Sequence, residues 1–196
     1  SPACAQIITE FYYKFQDELV MTPKAALALY VGISTDTGRF KFDSVTAKTF
    51  KMAALLLEHG VDLGYVDNNL SVETLQTLKL KGYCLSNFKI SPNGFAYIKM
   101  LRSTIKEYGV TDEEAASQVS TISTIEGCPV WAIFIEYENE IRVRLRSRGP
   151  AINELAEEYN GGGHKKASGA KLASFDQLDE FVAKADKLVY DYKMSI

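Results

Sequence analysis

The chain has 196 residues, of which 46% are hydrophobic and 24% charged, a composition that excludes intrinsic disorder and leaves room for one large or two small domains. Its net charge of −3 excludes a global basic field that would hold long nucleic acid by counterion release. Any nucleic-acid ligand is therefore expected to be short, or to be held by a local cluster of cations.

The first predicted element is a helix over Ala5 to Leu19, read from the stripe Ile7, Ile8, Phe11, Tyr12, Phe15 and Leu19. Thr22-Pro23 gives an N-cap followed by a first-turn proline, opening a second helix through Ala25, Leu29, Tyr30 and Ile33. Thr46 caps a third, whose face of Phe50, Ala53, Ala54 and Leu57 runs to His59 and stops at Gly60. A fourth helix is expected over Leu70 to Leu80, with Ser71 as N-cap and Glu73 in its first turn. The pattern then changes. Phe88 to Ile90 and Phe95 to Met100 flank the turn residues Ser91-Pro92-Asn93-Gly94, and so read as short strands. Thr111 with Glu114 makes a capping box for a helix to about residue 122. Val130 to Tyr137 and Ile141 to Arg148 form a longer hairpin about Asn139-Glu140. Pro150 starts a helix before a glycine run, Ser168 to Leu172 is a short strand, and Ser174 caps a last helix through Phe175, Leu178, Phe181, Val182 and Leu188.

A helix-rich part thus precedes an α/β part. The join is placed between residues 75 and 76, and a cleft between the parts is the expected ligand site. No run of about 18 apolar residues is present, which argues against a membrane-spanning helix. No secretory signal pattern opens the chain, and the cytosol is the default compartment. Cys4, Cys84 and Cys128 are odd in number and form no CxxC pair, so they are read as small buried hydrophobes.

Two stretches carry chemistry. In the strand Ile141 to Arg148, Ile141, Val143 and Leu145 alternate with Arg142, Arg144, Arg146 and Arg148. Four guanidiniums stacked on one face repel one another unless anions visit, although a solvated edge accounts for Arg142 and Arg144. Arg146, Ser147 and Arg148, nearest the following loop, are the expected ligand contacts. The second stretch is Gly161-Gly162-Gly163-His164, followed by Lys165-Lys166-Ala167-Ser168-Gly169. Consecutive glycine amides in mixed left- and right-handed conformations form a nest for a phosphate, and an adjacent imidazole adds a donor. A plain helix-to-strand turn is the alternative reading of the same glycines.

Gly32-Ile33-Ser34-Thr35-Asp36-Thr37-Gly38-Arg39-Phe40 places one carboxylate at the end of an apolar helix. Asp36 either caps the chain as it turns toward Phe40 or binds a hard divalent cation. The chain has two histidines; His59, at a helix C-terminus, is accounted for by the helix dipole.

Taken in order, the Asp36 passage, Arg146-Ser147-Arg148 and the Gly161 to Gly169 passage resemble the DHH phosphoesterase family, and within it the bacterial nano-RNase and pAp-phosphatase branch. The resemblance covers nearly the whole chain. It implies an α/β fold: the helix-rich C-terminal part of a DHH domain over residues 1–75, then a mixed-sheet substrate-binding domain over residues 76–196. It also implies two Mn²⁺ ions that bridge the scissile phosphate and activate a water, with Asp36 as a metal ligand. Gly161, Gly162, Gly163, His164, Arg146 and Ser147 would then bind the phosphate or nucleotide, and His164 would face the metals. The family's earlier metal motifs have no counterpart in the chain. The expectation is of a C-terminal piece whose partner is the N-terminal half of its own DHH domain, with a homodimer as a further candidate assembly and little hydrolysis by the piece itself. The expected substrates are very short RNA and 3′-phosphoadenosine 5′-phosphate (pAp). A non-catalytic nucleic-acid-binding module, such as occurs at the end of alanyl-tRNA synthetases, and a cyclic-dinucleotide phosphodiesterase are the competing functions.

Overall fold

The computed structural model describes residues 4–196, which divide into two compact units, one ending at Val72 and the other Glu73–Ile196. The first unit is helical: α1 (Cys4–Lys14), α2 (Pro23–Asp36), α3 (Ala47–Glu58) and α4 (Leu63–Ser71). Thr22 caps α2 by accepting from the Ala25 amide at 3.2 Å, and Pro23 follows in the first turn. Thr46 and Thr49 form a capping box at the start of α3. Tyr30 and Ile33 of α2, Met52, Ala53 and Leu56 of α3 and Val66 of α4 make the core of this unit.

Two expectations about these helices are corrected. The first helix ends at Lys14, and Ile7, Ile8, Phe11, Phe15 and Leu19 are exposed; Gln6, Thr9 and Tyr12 are its buried residues. In α3 the inward face is Thr49, Met52, Ala53 and Leu56, while Phe50 lies outside and stacks on Phe40, with ring centroids 5.3 Å apart.

The second unit is a six-stranded mixed sheet with helices on both faces. In chain order it contains α5 (Leu75–Asn87), β1 (Lys89–Ile90), β2 (Phe95–Met100), α6 (Arg102–Tyr108), α7 (Asp112–Ser117) and a 3₁₀ turn (Gln118–Ile122). After these come β3 (Val130–Glu136), β4 (Ile141–Ser147), α8 (Asn153–Glu157), β5 (Gly162–His164), β6 (Ala167–Leu172), a 3₁₀ turn (Phe175–Gln177) and α9 (Leu178–Met194). The strand order is β1-β2-β3-β4-β6-β5, with β2 and β3 parallel and the other neighbours antiparallel.

No single helix spans Leu70 to Leu80. The chain is extended at Val72, and Thr74, not Ser71, caps the new helix by accepting from the Thr77 amide at 3.1 Å. The helix α6 has no side-chain cap and ends at left-handed Gly109, so little in its seven residues announced it. Pro150 lies before α8 rather than starting it. The Ser174 cap serves the 3₁₀ turn that leads into α9. The three cysteines are free thiols; Cys84 and Cys128 are buried as expected, Cys4 is exposed, and burial pushes the Cys84 thiol up to about 12.

Each face of the sheet has its own core, and the difference between them makes the site. On one face Phe95, Val130, Phe134, Val143, Leu145 and Ala170 pack under α8 and α9. On the other, Ile98, Trp131, Ile133 and Ile135 of β2 and β3 pack under α5, α6 and α7. The strands β4, β5 and β6 contribute nothing to that second core. Among the described residues, half of one sheet face therefore carries no hydrophobic cover from this core. No helix among the described residues is long and apolar enough to cross a membrane.

Candidate functional site

The site lies on the uncovered half of the sheet. Because Ile141, Val143 and Leu145 are buried on one face of β4, the two-residue period of a strand sets Arg142, Arg144 and Arg146 on the opposite face. Register then carries the row across the sheet. Arg144 lies opposite Gly169, which lies opposite Gly162; Arg146 lies opposite Ala167, which lies opposite His164; Arg142 lies opposite Lys171. Directly opposed residues share a face, so His164, Gly162 and the three arginines stand on the same side.

Between them is a hollow of about 570 Å³ whose lining includes Gly162, Ala167 and Gly169, with Arg144 and Arg146 at one end and Tyr137 and Arg142 at the other. Along this floor the side chains are absent or a single methyl group, so a ligand can approach the backbone closely. Protein packing does not require this at two of the three positions. A Cβ added at Gly162 would meet nothing within 4 Å, and one at Gly169 would meet only the Val143 carbonyl oxygen, at an ordinary 3.5 Å. Neither residue is in the left-handed region. Glycine in a strand costs about 0.5–1 kcal/mol relative to alanine, so its use where the fold has room points to something outside the fold.

The charges differ along the hollow. Arg142 is paired with Glu140 at 2.7 Å, and Lys171 reaches the same carboxylate at 3.4 Å. Arg146 donates to the Leu145 carbonyl at 2.9 Å, and no carboxylate lies beside it or beside Arg144 among the described residues. Burial, and after it the charge of Arg144, pull the Arg146 guanidinium below its usual value. Arginine stays protonated at neutral pH all the same, so this end holds two uncompensated positive charges.

The other predicted contacts are placed differently. The Ser147 hydroxyl is buried, donates to the Pro150 carbonyl at 2.6 Å and accepts from the Gly149 amide at 3.0 Å. Arg148 lies beyond the end of β4, outside the hollow, and spends its guanidinium on the carbonyls of Ser123, Ile125 and Cys128. Both are engaged with the loops at the strand's end. His164 is exposed, and no side-chain partner holds its ring among the described residues.

The glycine run is also corrected in conformation. It is not a nest of three amides, because Gly162–His164 is an edge strand and of the three glycines only Gly163 has positive φ, at 140°. The Gly161 amide donates to the Ala156 carbonyl at 3.0 Å and is not free. The left-handed turn before the strand falls on Asn160, φ 52°, a residue type that tolerates it.

Asp36 belongs to the first unit. Its neighbour Thr37, not Asp36, caps the helix end: the Thr37 hydroxyl donates to the Ile33 carbonyl at 2.7 Å and accepts from the Phe40 amide at 3.1 Å. The chain then runs through three left-handed residues, Gly38, Arg39 and Phe40, and Arg39 is tied down by Ser71 at 3.0 Å. Asp36 is exposed at the carbonyl end of its helix, where the dipole disfavours a carboxylate, and no side-chain partner stabilises it among the described residues. Among the described residues no three His, Cys, Asp or Glu side chains gather as a metal site, so Asp36 stands there without the further ligands a dinuclear centre needs.

Sequence reasoning missed Tyr137, and set Arg142 and Arg144 aside as a solvated edge. The available signal was the hairpin register, which places residues 137, 142 and 144 on the same face of the sheet.

Residues 94–191 match the family model described as the DHHA1 domain. The chain is 37% identical over 190 residues to the bifunctional oligoribonuclease and PAP phosphatase NrnA of Bacillus subtilis, a match that covers 96% of this chain and 61% of that protein. It is 36% identical over 188 residues to a probable bifunctional oligoribonuclease and PAP phosphatase NrnA of Streptococcus mutans, covering 95% and 60% respectively. The chain thus spans about 60% of the length of these curated relatives. The crystal structure of an exopolyphosphatase-related protein from Bacteroides fragilis has the same fold, with a TM-score of 0.86 at 23% identity over 97% of this chain and 58% of that one.

Proposed function

Because the chain belongs to the DHHA1 domain family, we propose that it is the substrate-holding part of a phosphoesterase that hydrolyses short oligoribonucleotides and pAp. The activities after which the relatives are named support the reaction class and the two substrates. The observation that carries the proposal is a backbone floor left bare at Gly162 and Gly169 beside two guanidiniums without a carboxylate. A phosphate there accepts from Arg144 and Arg146, and His164, on the same face, adds a donor at the edge. In this part of the molecule the chain's own residues bind and orient the phosphate.

The test is calorimetry with pAp on the 196-residue chain. Charge-assisted hydrogen bonds contribute about 1.5–3 kcal/mol each, so Arg144→Gln and Arg146→Gln are each expected to weaken binding at least about tenfold. The salt dependence of the double substitution should be flatter than that of the parent. Unchanged affinity in the double substitution would refute the assignment.

Manganese is part of the same proposal, with Asp36 as one ligand and the other ligands coming from outside the described residues. In a preparation that shows Mn²⁺-dependent turnover, Asp36→Asn is expected to raise the Mn²⁺ concentration needed for half-maximal rate. An unaltered requirement removes Asp36 from the ligand set.

A further inference from the structure

The two ends of the hollow are chemically unlike. At one end stand Arg144 and Arg146 with no carboxylate; at the other, the Arg142 guanidinium lies over the Tyr137 ring, 4.3 Å from its centroid, while its Nε donates to Glu140 at 2.7 Å. The ring beneath and the carboxylate at the edge together fix the plane of the guanidinium. Glu140 also takes Lys171, so the two cations at this end share one carboxylate, which weakens their hold on a phosphate. The guanidinium of Arg142 holds the Glu140 carboxyl below the usual carboxylate range, which keeps that charge in place. A flat, immobilised guanidinium that shares its charge with a carboxylate and is backed by an aromatic ring is a weaker ligand for an anion than a free one and a good surface for a π-system. Arg142 and Tyr137 both line the hollow. Along β4, Arg142 is two residues from Arg144, about 7 Å at the rise of a strand, so a phosphate at Arg144 leaves an attached base close to the platform.

Resting on the reading that the Arg144–Arg146 end holds a substrate phosphate, we propose that the Tyr137–Arg142 pair is a stacking platform for a nucleobase, so that the hollow selects nucleotides over base-free phosphates. The orientation follows from the same chemistry, with the phosphate at the acid-free end and the base at the Glu140 end. Arg142 acts here through its plane rather than through its charge.

The experiment is calorimetry on the 196-residue chain with two ligands, pAp and the abasic sugar 3′,5′-bisphosphate that carries the same charges without adenine. The parent chain is expected to prefer pAp on the order of tenfold, the usual worth of one stacked base. Arg142→Lys keeps the charge and removes the plane, so it should abolish that preference while the abasic ligand binds as before. Tyr137→Leu should do the same by removing the backing ring. If the parent shows no preference, or if the preference survives in Arg142→Lys, the platform does not exist. Failure of the underlying phosphate reading looks different, because then Arg144→Gln with Arg146→Gln leaves both ligands bound as in the parent.

Discussion

Gly162→Val is expected to cost the chain its affinity for pAp, on the order of 100-fold, with no loss of thermal stability. The two halves of this expectation come from one geometry. Gly162 sits in the edge strand β5 opposite Gly169, on the face that carries Arg144 and Arg146. A side chain there projects over the floor of the hollow and holds a phosphate away from both guanidiniums. Losing two charge-assisted contacts at about 1.5–3 kcal/mol each accounts for the magnitude. The fold has no objection: nothing lies within 4 Å of the added Cβ, φ is not in the left-handed region, and a β-branched residue suits a strand. Melting temperature should therefore stay level or rise. Undiminished binding of pAp in Gly162→Val would mean that the hollow is not where phosphate goes.

Legibility in the sequence followed the range of the forces involved. The caps at Thr22 and Thr46, the Thr111–Glu114 box and the hairpin about Asn139 are written in side chains within four residues of the backbone they satisfy, and the structure has all of them. The break at residues 72–74 was harder to read, because Ser71 and Thr74 are both acceptable caps and the choice between them is made by where α4 ends. Arg148 could not be read at all from its own strand. Its carbonyl partners on residues 123, 125 and 128 come from a loop about twenty residues earlier, which only the folded hairpin brings within reach. The candidate site was half legible. Alternation along β4 gave the arginine face, but whether that face was a solvated edge or a hollow depended on which strands the helices α5, α6 and α7 cover. Glycine was the least decisive signal, since a residue compatible with nearly every conformation cannot by itself distinguish a nest from a strand.

Gly161→Ala is expected to do the reverse of Gly162→Val and unfold the second unit's edge, by about 3 kcal/mol or more. An added Cβ would lie 2.0 Å from the Gly169 carbonyl oxygen and 2.6 Å from the Ala170 Cα, both backbone atoms of β6 that cannot move aside as a flexible side chain can. Either β5 leaves β6 or β6 shifts against β4, and the second choice disturbs a strand that buries Ala170 and Leu172 in the core under α8 and α9. Overpacking of this kind costs 1–3 kcal/mol even where side chains can adjust, and a backbone clash adds to that. The chain also depends locally on this turn, because the Gly161 amide closes α8 on the Ala156 carbonyl and the Lys171 amide donates to Tyr159 at 2.8 Å. Urea denaturation of the two variants side by side checks the distinction. The alanine at 161 should lower the midpoint while the larger valine at 162 leaves it unmoved, although the two positions are adjacent. A stable Gly161→Ala chain would show that β5 is free to move from its place against β6. The arrangement of Gly162 and His164 opposite the arginines, on which the phosphate site is built, would then not be a fixed property of the fold.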